Sequence, residues 1–417
     1  MNFQRYLRAW AFFAAGLLIL TAGINWLVDP FGFLGGPRIE GFNAKKTKVP
    51  AHERMSVAIE IMQQKPKVLI MGTSRAQVGL DPTHPGFGAQ GAFGTTLKGG
   101  NMYAMFRYFQ HAHAFGRLER VVFALDFFIF NVHRKPREGF REERLAVSAD
   151  GQPNSMMQLS DQYRALFSLD AIKASVGTVM SQHEEIRSGI GKSQYGSPRK
   201  AFLSSEWQYL DSGWYEKSGL RDFDLIDPKT GEKTFDYFRK MVRACYAEGI
   251  DLILLISPSH ARLWATLYVA GLWPKFEQWK RELVRVVDEE AAAFPGAKPF
   301  TLWDFSGFNS YTTENVPPFE PVDVMMKWYW DSSHFRSDLG DIVLDIVLDS
   351  AGSDFSEAKT FGKKLTSQNI EEHLHSTRQK MSEWQQTHRR DMDEIIEQAQ
   401  KAGYAVSGVP VPAPHVQ

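Results

Sequence analysis

The sequence is poor in cysteine and has no excess of charge of either sign. Its 417 residues include one cysteine, Cys245, which excludes an intramolecular disulfide framework. Lys and Arg total 48, as do Asp and Glu, and a net charge of zero argues against a nucleic-acid binder, which usually carries a basic surplus. Internal repeats are absent, as are Walker and dinucleotide-binding motifs. His111 and His113 lie on different faces of a predicted helix, so we expect no metal and no cofactor.

A long apolar run is present near the amino terminus. Residues 10–28 contain no charged residue over 19 positions, and at about 1.5 Å per residue they just span a bilayer core of about 30 Å. Arg5 and Arg8 precede the run and Asp29 follows it, which predicts a cytoplasmic amino terminus. We therefore expect a single-pass inner-membrane protein whose main domain is periplasmic. A cleaved signal peptide and a buried soluble helix are the alternatives, but the run exceeds the roughly 7–15 residues of a signal-peptide core.

Short apolar runs alternate with helical patterns along the rest of the chain. Strand-like runs lie at residues 67–71, 120–131, 250–258 and 299–307, and helical patterns lie at 101–115, 235–248, 275–293 and 334–348. This alternation is typical of a parallel sheet that is covered on both faces. The sequence therefore predicts an α/β fold, a three-layer α/β/α sandwich with a mainly parallel sheet.

The remaining segments are organised around this domain. We expect a membrane anchor at residues 1–30, a connector at 31–66, the α/β domain at 67–352 and a polar helical tail at 353–417. Residues 132–233 break the alternation and are rich in charge, glycine and serine, with a weakly helical stretch at 160–182. We interpret them as an insertion at the carboxyl edge of the sheet, where substrates of such sheets bind.

Ser74 is the first residue that could carry chemistry. It follows a predicted strand and opens a helix, so its hydroxyl projects at the carboxyl edge of the sheet. Its backbone N–H lies at the positive end of that helix and could stabilise an oxyanion. A plain N-terminal cap is the alternative interpretation, because serine is strongly preferred there.

A second polar cluster lies just before the last helix of the α/β domain. Asp331 and His334 are three residues apart, a spacing that can bring both side chains to one edge, where the carboxylate orients the imidazole. His334 would then accept the Ser74 proton, and the aromatic run that ends at Trp330 would wall a sugar or acyl pocket. The alternative is again a cap, with Asp331 or Ser333 beginning the helix and His334 exposed.

These two blocks resemble known sequences. GTSR after a buried strand and DSSH before a terminal helix resemble the SGNH (GDSL-like) hydrolases, a superfamily with a flavodoxin-like sandwich. VDPFG after the apolar run, LDFFIFN and YWDSSHF are similar to a membrane-anchored, extracytoplasmic subgroup associated with alginate O-acetylation and teichoic-acid D-alanylation. The resemblance covers roughly residues 67–131 and 250–348 plus the anchor. It implies a membrane-bound O-acyltransferase as partner and a carbohydrate polymer as substrate.

The resemblance also implies roles for individual residues. Ser74 corresponds to the nucleophile, His334 to the base and Asp331 to the residue that orients the base. Gly100 is the best match for the glycine whose N–H contributes to the oxyanion hole, with Gly99 as the next best match.

The sequence departs from the family pattern at Asp126, within the second strand-like run. Asp126 stands where the family has an asparagine that donates to the oxyanion, and an ionised carboxylate accepts hydrogen bonds but does not donate them. Asn131 is the nearest substitute. Arg75 could hold a uronate, phosphate or carboxylate group, or form a salt bridge within the fold. His260 follows another strand and is the second choice for the base or for a substrate contact.

The leading hypothesis is serine-dependent acyl transfer or ester hydrolysis on a cell-envelope polysaccharide or polymer outside the membrane. Asp126 motivates an alternative, a catalytically impaired scaffold or polymer-binding partner of a membrane-bound O-acyltransferase. A third hypothesis, from the density of aromatic residues, is a carbohydrate-binding wall protein. We expect the bilayer to be contacted through the amino-terminal helix and no nucleic acid to be bound.

Overall fold

The computed structural model describes residues 3–32, 34–46, 53–116, 118–154, 159–182, 197–216, 220–320, 324–350 and 361–406. Within these ranges the chain forms an α/β fold with a mixed six-stranded sheet and thirteen α-helices. Two compact units can be separated. The first comprises residues 1–65, 107–116 and 138–189, and the second comprises residues 66–106, 117–137 and 190–417.

The second unit contains the sheet. Its strands are β1 (Val68–Gly72), β2 (Phe93–Thr96), β3 (Arg120–Leu125), β4 (Asp251–Ile256), β5 (Leu302–Asp304) and β6 (Lys363–Lys364). The order across the sheet is β2-β1-β3-β4-β5-β6, with β1 to β5 parallel and β6 antiparallel to β5. Leu69 pairs with Val121, and Val121 with Leu252, so near-continuous apolar runs fill the centre, as in sheets buried on both faces.

The helices follow in chain order. They are α1 (Phe3–Val28), α2 (Glu53–Gln64), α3 (Ser74–Gly79), α4 (Met102–Phe115), α5 (Leu159–Phe167), α6 (Leu169–Met180), α7 (Pro198–Gln208), α8 (Thr234–Glu248), α9 (Ala261–Val269), α10 (Trp273–Ala292), α11 (Ser337–Leu348), α12 (Ile370–Thr387) and α13 (Arg389–Lys401). A π-helix, Tyr209–Gly213, directly follows α7. By length and composition, α1 is apolar enough to cross a membrane.

The predicted elements agree with these in most places. All four predicted strands and all four predicted helices of the α/β domain are present, and the weakly helical stretch at 160–182 forms α5 and α6. Two strands escaped prediction. β2 lies in a glycine-rich stretch that masks its apolar pattern, and β6 has two residues, too few for any periodicity.

Three predicted segments need correction. The connector at 31–66 contains α2, which buries Val57 and Ile61. The insertion at 132–233 is divided, with residues 138–189 in the first unit and residues 132–137 and 190–233 in the second. The polar tail at 353–417 is part of the second unit: β6 extends the sheet, and α12 and α13 bury Trp384 and Ile395. Its charged residues concealed a narrow apolar stripe on each helix.

The close approach of α3 and α11 positions the two predicted site blocks. Phe335, Leu339 and Val343, in and before α11, are fully buried in the same apolar cluster as Ala76 and Leu80, in and after α3. Glycine at two positions makes this packing possible. A Cβ at Gly79 would lie 2.0 Å from the Phe335 ring, and a Cβ at Gly340 would lie 1.6 Å from the Gly79 carbonyl oxygen.

We expect Gly340→Ala to destabilise the fold. The added methyl group collides with backbone that cannot rotate away, so α3 and α11 must separate, at a cost of about 1–3 kcal/mol. The matched control is Gly94→Ala, because a Cβ there would have its nearest neighbour at 3.8 Å. Thermal unfolding of both full-length variants, followed by circular dichroism, checks this. Equal midpoints for the two variants would contradict the close packing.

Candidate active site

The first predicted block folds as a sharp turn from β1 into α3. Gly72 ends the strand, and a Cβ there would lie 2.6 Å from the Ala76 Cβ. Thr73, not Ser74, is the N-cap of α3, and its hydroxyl accepts a hydrogen bond from the Arg75 N–H at 3.4 Å. The capping interpretation of Ser74 is therefore wrong. Ser74 is partly exposed, and its hydroxyl is available for other contacts.

The structure brings Ser74, His334 and Asp331 together. The Ser74 Oγ lies 2.9 Å from the His334 Nε2, and the His334 Nδ1 lies 2.8 Å from the Asp331 Oδ2. The His334 and Asp331 side chains are 17% and 15% exposed, so the cluster is accessible at one rim. Hydroxyl, imidazole and carboxylate thus form a continuous hydrogen-bonded relay between residues 260 positions apart in the chain.

A tight turn holds Asp331 in place. Its Oδ1 accepts hydrogen bonds from the backbone N–H groups of Ser333 and His334, at 2.7 and 3.0 Å, and from the Ser205 hydroxyl at 3.2 Å. Burial raises the pKa of Asp331, but the neighbouring His334 and these hydrogen bonds outweigh burial and lower the pKa below its ordinary value. Asp331 is therefore ionised at neutral pH. It does not cap α11, whose N-cap is Arg336.

The contacts of His334 determine which of its nitrogens carries the proton. Ionised Asp331 accepts hydrogen bonds and does not donate them, so the His334 Nδ1 must be protonated when the ring is neutral. The Nε2 is then free to accept the hydrogen bond from the Ser74 hydroxyl. This is the tautomer that a general base for serine requires.

Arg75 joins the two blocks on the buried side of the relay. Its Nη1 donates to the Asp126 Oδ1 at 2.6 Å, its Nε to the Ser333 Oγ at 3.0 Å and its Nη2 to the Tyr209 hydroxyl at 2.9 Å. The Arg75 side chain is 3% exposed and that of Asp126 is fully buried. The substrate-binding role expected for Arg75 is corrected accordingly, because its guanidinium is used within the fold as an ion pair.

Asp126 is satisfied in the same network. Besides Arg75, it accepts a hydrogen bond from the Thr73 hydroxyl. Arg75 supplies a positive charge next to the carboxylate, which offsets the repulsion that Asp126 alone would exert on an oxyanion. Tyr209 also contacts the Ser333 Oγ, at 2.9 Å. The network therefore connects the neighbours of Ser74 and His334 in the chain. It also links them to Asp126, which follows β3, and to Tyr209 of the π-helix.

Sequence analysis missed Tyr209 and Ser205. Both lie within residues 132–233, the segment that was expected to contribute to the site, but nothing in the local sequence distinguishes them from other polar residues there. In the fold, Tyr209 begins a π-helix, a rare element that is frequent at functional sites, but no sequence pattern predicts this element.

The two expected oxyanion donors are engaged elsewhere. The Gly100 N–H closes the turn before α4 by donating to the Leu97 carbonyl at 2.9 Å. The Asn131 side-chain amide donates to the carbonyls of Trp214 and Asp222, at 2.9 and 2.7 Å. Both residues thus use these N–H groups within the fold, which contradicts the oxyanion role expected for them.

The structure excludes one of the two remaining candidates, His260, and leaves Trp330 open. His260 is the N-cap of α9: its Nδ1 accepts from the Arg262 N–H at 3.1 Å and its Nε2 donates to the Glu314 carbonyl at 2.7 Å. With both nitrogens used and the side chain buried, it serves neither as base nor as a substrate contact. Trp330 is partly exposed beside Asp331, with the Arg336 guanidinium 4.3 Å from its ring. Its substrate contact stays a prediction.

Within the described ranges, no group of three or more His, Cys, Asp or Glu side chains could hold a metal ion. His111 uses both ring nitrogens on backbone groups, the carbonyl of Ala58 at 2.7 Å and the N–H of Ala146 at 2.9 Å.

We expect Asp126→Asn to be strongly destabilising. The variant leaves the Arg75 charge buried without its carboxylate, which costs about 3–5 kcal/mol. Combining it with Arg75→Met removes that charge, so the double variant should lose less stability than the sum of the two single variants. Urea unfolding measures the cycle. Asp251→Asn, which breaks the exposed ion pair with Arg120, is the control and should lose less than about 1 kcal/mol. Additive single effects would contradict the coupling.

His260 should make stability depend on pH. Burial lowers its pKa from an ordinary 6.5 to about 3, so below pH 6.5 the unfolded chain binds a proton that the folded chain does not. As the pH falls from 6.5 towards 3, the free energy of unfolding should therefore decrease by up to ~1.4 kcal/mol per pH unit. His260→Asn keeps an acceptor for the Arg262 N–H and should flatten the dependence of the thermal midpoint between pH 7 and 4. His375→Asn, at an exposed position, should not; identical slopes in all three proteins would count against this role.

The chain matches no protein-family model, no curated protein and no solved structure. Its function is therefore argued from the geometry of its own residues, above all from the Ser74, His334 and Asp331 relay.

Proposed function

We propose that the protein is a serine-dependent acyltransferase or acylesterase that acts on a cell-envelope polysaccharide or polymer. The observation that carries the proposal is the relay in which the Ser74 Oγ lies 2.9 Å from the His334 Nε2, with ionised Asp331 on the far side of the imidazole. The proposal includes the finer fold assignment, a three-layer sandwich of the SGNH or flavodoxin-like kind. The parallel β1 to β5 and the position of Ser74 after β1 support it.

The geometry supports a two-step reaction. His334 accepts the Ser74 proton as the Ser74 Oγ attacks the acyl carbon, and the resulting tetrahedral intermediate expels the first alcohol, which takes that proton from His334. This leaves an acyl ester on Ser74. A sugar hydroxyl or water, deprotonated by His334, then attacks the ester and restores the free serine. Asp331 stabilises the imidazolium in both steps.

The backbone N–H of Ser74 is the donor we assign to the oxyanion. It belongs to the first residue of α3, where N–H groups have no partner within the helix and point away from it. An adjacent uncompensated carboxylate would oppose this charge, and the Arg75–Asp126 ion pair avoids that conflict.

The proposed setting is the outer face of the inner membrane. The apolar helix α1 would anchor the chain, with the amino terminus in the cytoplasm and both units in the periplasm. A membrane-bound O-acyltransferase would be the partner that supplies acyl groups across the bilayer, and Ser74 would pass them to the polymer.

A second function is favoured by one observation. Gly100 and Asn131 are both engaged elsewhere, and Asp126 stands where an amide donor was expected. A protein that kept the relay but reacted slowly would serve as a scaffold or polymer-binding partner of the O-acyltransferase. The two functions differ in whether polymer acylation requires the Ser74 hydroxyl.

Ser74→Ala should lower kcat/KM for p-nitrophenyl acetate by about 10³-fold or more, because the nucleophile is lost. The matched control is Ser257→Ala, which removes a buried hydroxyl with no hydrogen-bond partner in the described part of the chain, just after β4. This control should keep the wild-type rate. The same variants, tested for acylation of envelope polymer in cells, should rank in the same order.

Full activity of Ser74→Ala in both assays would remove the enzymatic proposal. Wild-type polymer acylation by Ser74→Ala, combined with its loss when α1 is deleted, would establish the scaffold instead. Covalent labelling of Ser74 by a fluorophosphonate, read by mass spectrometry, tests the nucleophile independently of the polymer.

A further inference from the structure

Within the first unit, α6 exposes an apolar face. Leu169, Val176 and Met180 are 75%, 53% and 78% exposed. They are spaced by seven and four residues, so they lie along one face of the helix. Large apolar side chains that share one exposed face mark an interaction surface far more often than single exposed ones do.

The buried side of α6 is built differently. Ala171, Ser175 and Thr178 are buried, and such small residues at three- and four-residue spacing allow another helix to approach closely. That helix is α1. The Asn25 Oδ1 accepts from the Ser175 hydroxyl at 2.9 Å, and the Asn25 Nδ2 donates to the Leu166 carbonyl of α5 at 2.9 Å. These hydrogen bonds fix α5 and α6 to the apolar helix.

The contact lies at the carboxyl end of α1, which ends at Val28. Asn25 is within the last turn, and its neighbour Trp26 is 47% exposed, the residue type and position of an interfacial anchor. Twelve residues give α6 a length of about 18 Å, too short to cross a bilayer core of about 30 Å. Its place beside Asn25 therefore corresponds to the depth of the membrane surface.

Two charged residues border one side of the apolar face of α6. Asp170 and Lys173 form an ion pair at 3.7 Å, with their side chains 91% and 82% exposed. On the helix they lie to one side of the row formed by Leu169, Val176 and Met180. An apolar face bordered by charges is typical of helices that lie in the interface of a bilayer.

We propose that α6 is a membrane-surface helix whose apolar face enters the acyl-chain region of the leaflet in which α1 ends. The inference rests on membrane anchoring by α1, which is part of the proposed function. Lipid is favoured over a protein partner because the exposed face belongs to a helix bonded directly to α1, which itself exposes Leu17, Leu20 and Ile24. The bilayer would thus be contacted by two elements, one that spans it and one that lies on it.

The test uses the full-length chain in vesicles of phosphatidylethanolamine and phosphatidylglycerol. Single cysteines replace Val176, Met180, Leu18 and Lys401 in turn, and each carries an environment-sensitive fluorophore. Cys245 is fully buried, so the unsubstituted chain is the labelling blank. Iodide quenches labels in water, and lipids with a nitroxide on the acyl chain quench labels in the bilayer. We expect labels at 176 and 180 to be quenched by iodide about fivefold less than the label at 401, and strongly by the nitroxide lipid.

Each other outcome overturns the inference. Iodide quenching at 176 and 180 equal to that at 401 would place the face in water. Protection from both quenchers would mean that protein covers it, as a partner or a second copy. The label at Leu18 reports on α1 separately: if nitroxide lipid does not quench it, the anchoring fails, whereas p-nitrophenyl acetate hydrolysis by the same samples reports on the enzyme alone.

Discussion

The site depends on the hydrogen bonds and the ion pair made by the buried guanidinium of Arg75. It follows Ser74 in the chain and reaches Asp126, Ser333 and Tyr209, three residues from three other segments. A guanidinium with rigid, planar donors fixes direction as well as distance, which a lysine ammonium would not do. Because Arg75 follows Ser74 and Ser333 precedes His334, the hydrogen bond between Arg75 and Ser333 links the segment of the hydroxyl to that of the imidazole. The partly exposed relay is therefore positioned by buried groups on its inner side, which a substrate would not contact.

A second set of buried charges fixes α7, the helix that leads into the π-helix of Tyr209. On α7, Ser205 contacts Asp331 while its neighbour Glu206 pairs with Arg262 of α9 at 2.6 Å. Arg262 also bonds Asp391 and Glu394 of α13. Arg262 thus connects α13 to α7, the helix whose Ser205 contacts Asp331. Removing one member of such a network leaves its partners buried and unpaired, so it tolerates few single changes.

The helices of the first unit are held together by different interactions from those that fix the site. There, α5 and α6 contact α1 through small residues and through hydrogen bonds of Asn25. Helices associate in this way where apolar burial provides little driving force. The exposed face of α6 would be a liability in water and is favourable against acyl chains. The proposed catalysis and the proposed membrane attachment thus involve residues of separate compact units of one chain.

Two short sequence motifs, taken together and with their resemblance to a known superfamily, were enough to propose Ser74, Asp331 and His334. Each lies in a short motif whose meaning comes from a few neighbouring residues, a strand, a turn and a helix start. The same holds for the central strands, whose apolar runs are continuous because both faces are buried. The capping alternatives were not decided by sequence, because a capping serine and a nucleophile require the same turn. The structure decided them by placing Thr73 and Arg336 at the caps.

What the sequence alone determined about this protein is therefore the apolar amino-terminal helix, the central strands with four of the helices around them, and the short motifs that contain Ser74, Asp331 and His334. Only the tertiary structure decided the roles of Arg75, Asp126, Tyr209, Gly100, Asn131 and His260. Each of these side chains or N–H groups has a finite number of hydrogen bonds to make, and whether they go to a ligand or to the fold depends on which distant partners lie within about 3 Å. Asp126 and Tyr209 reach Arg75 across 51 and 134 positions of sequence, and no local pattern specifies such a meeting.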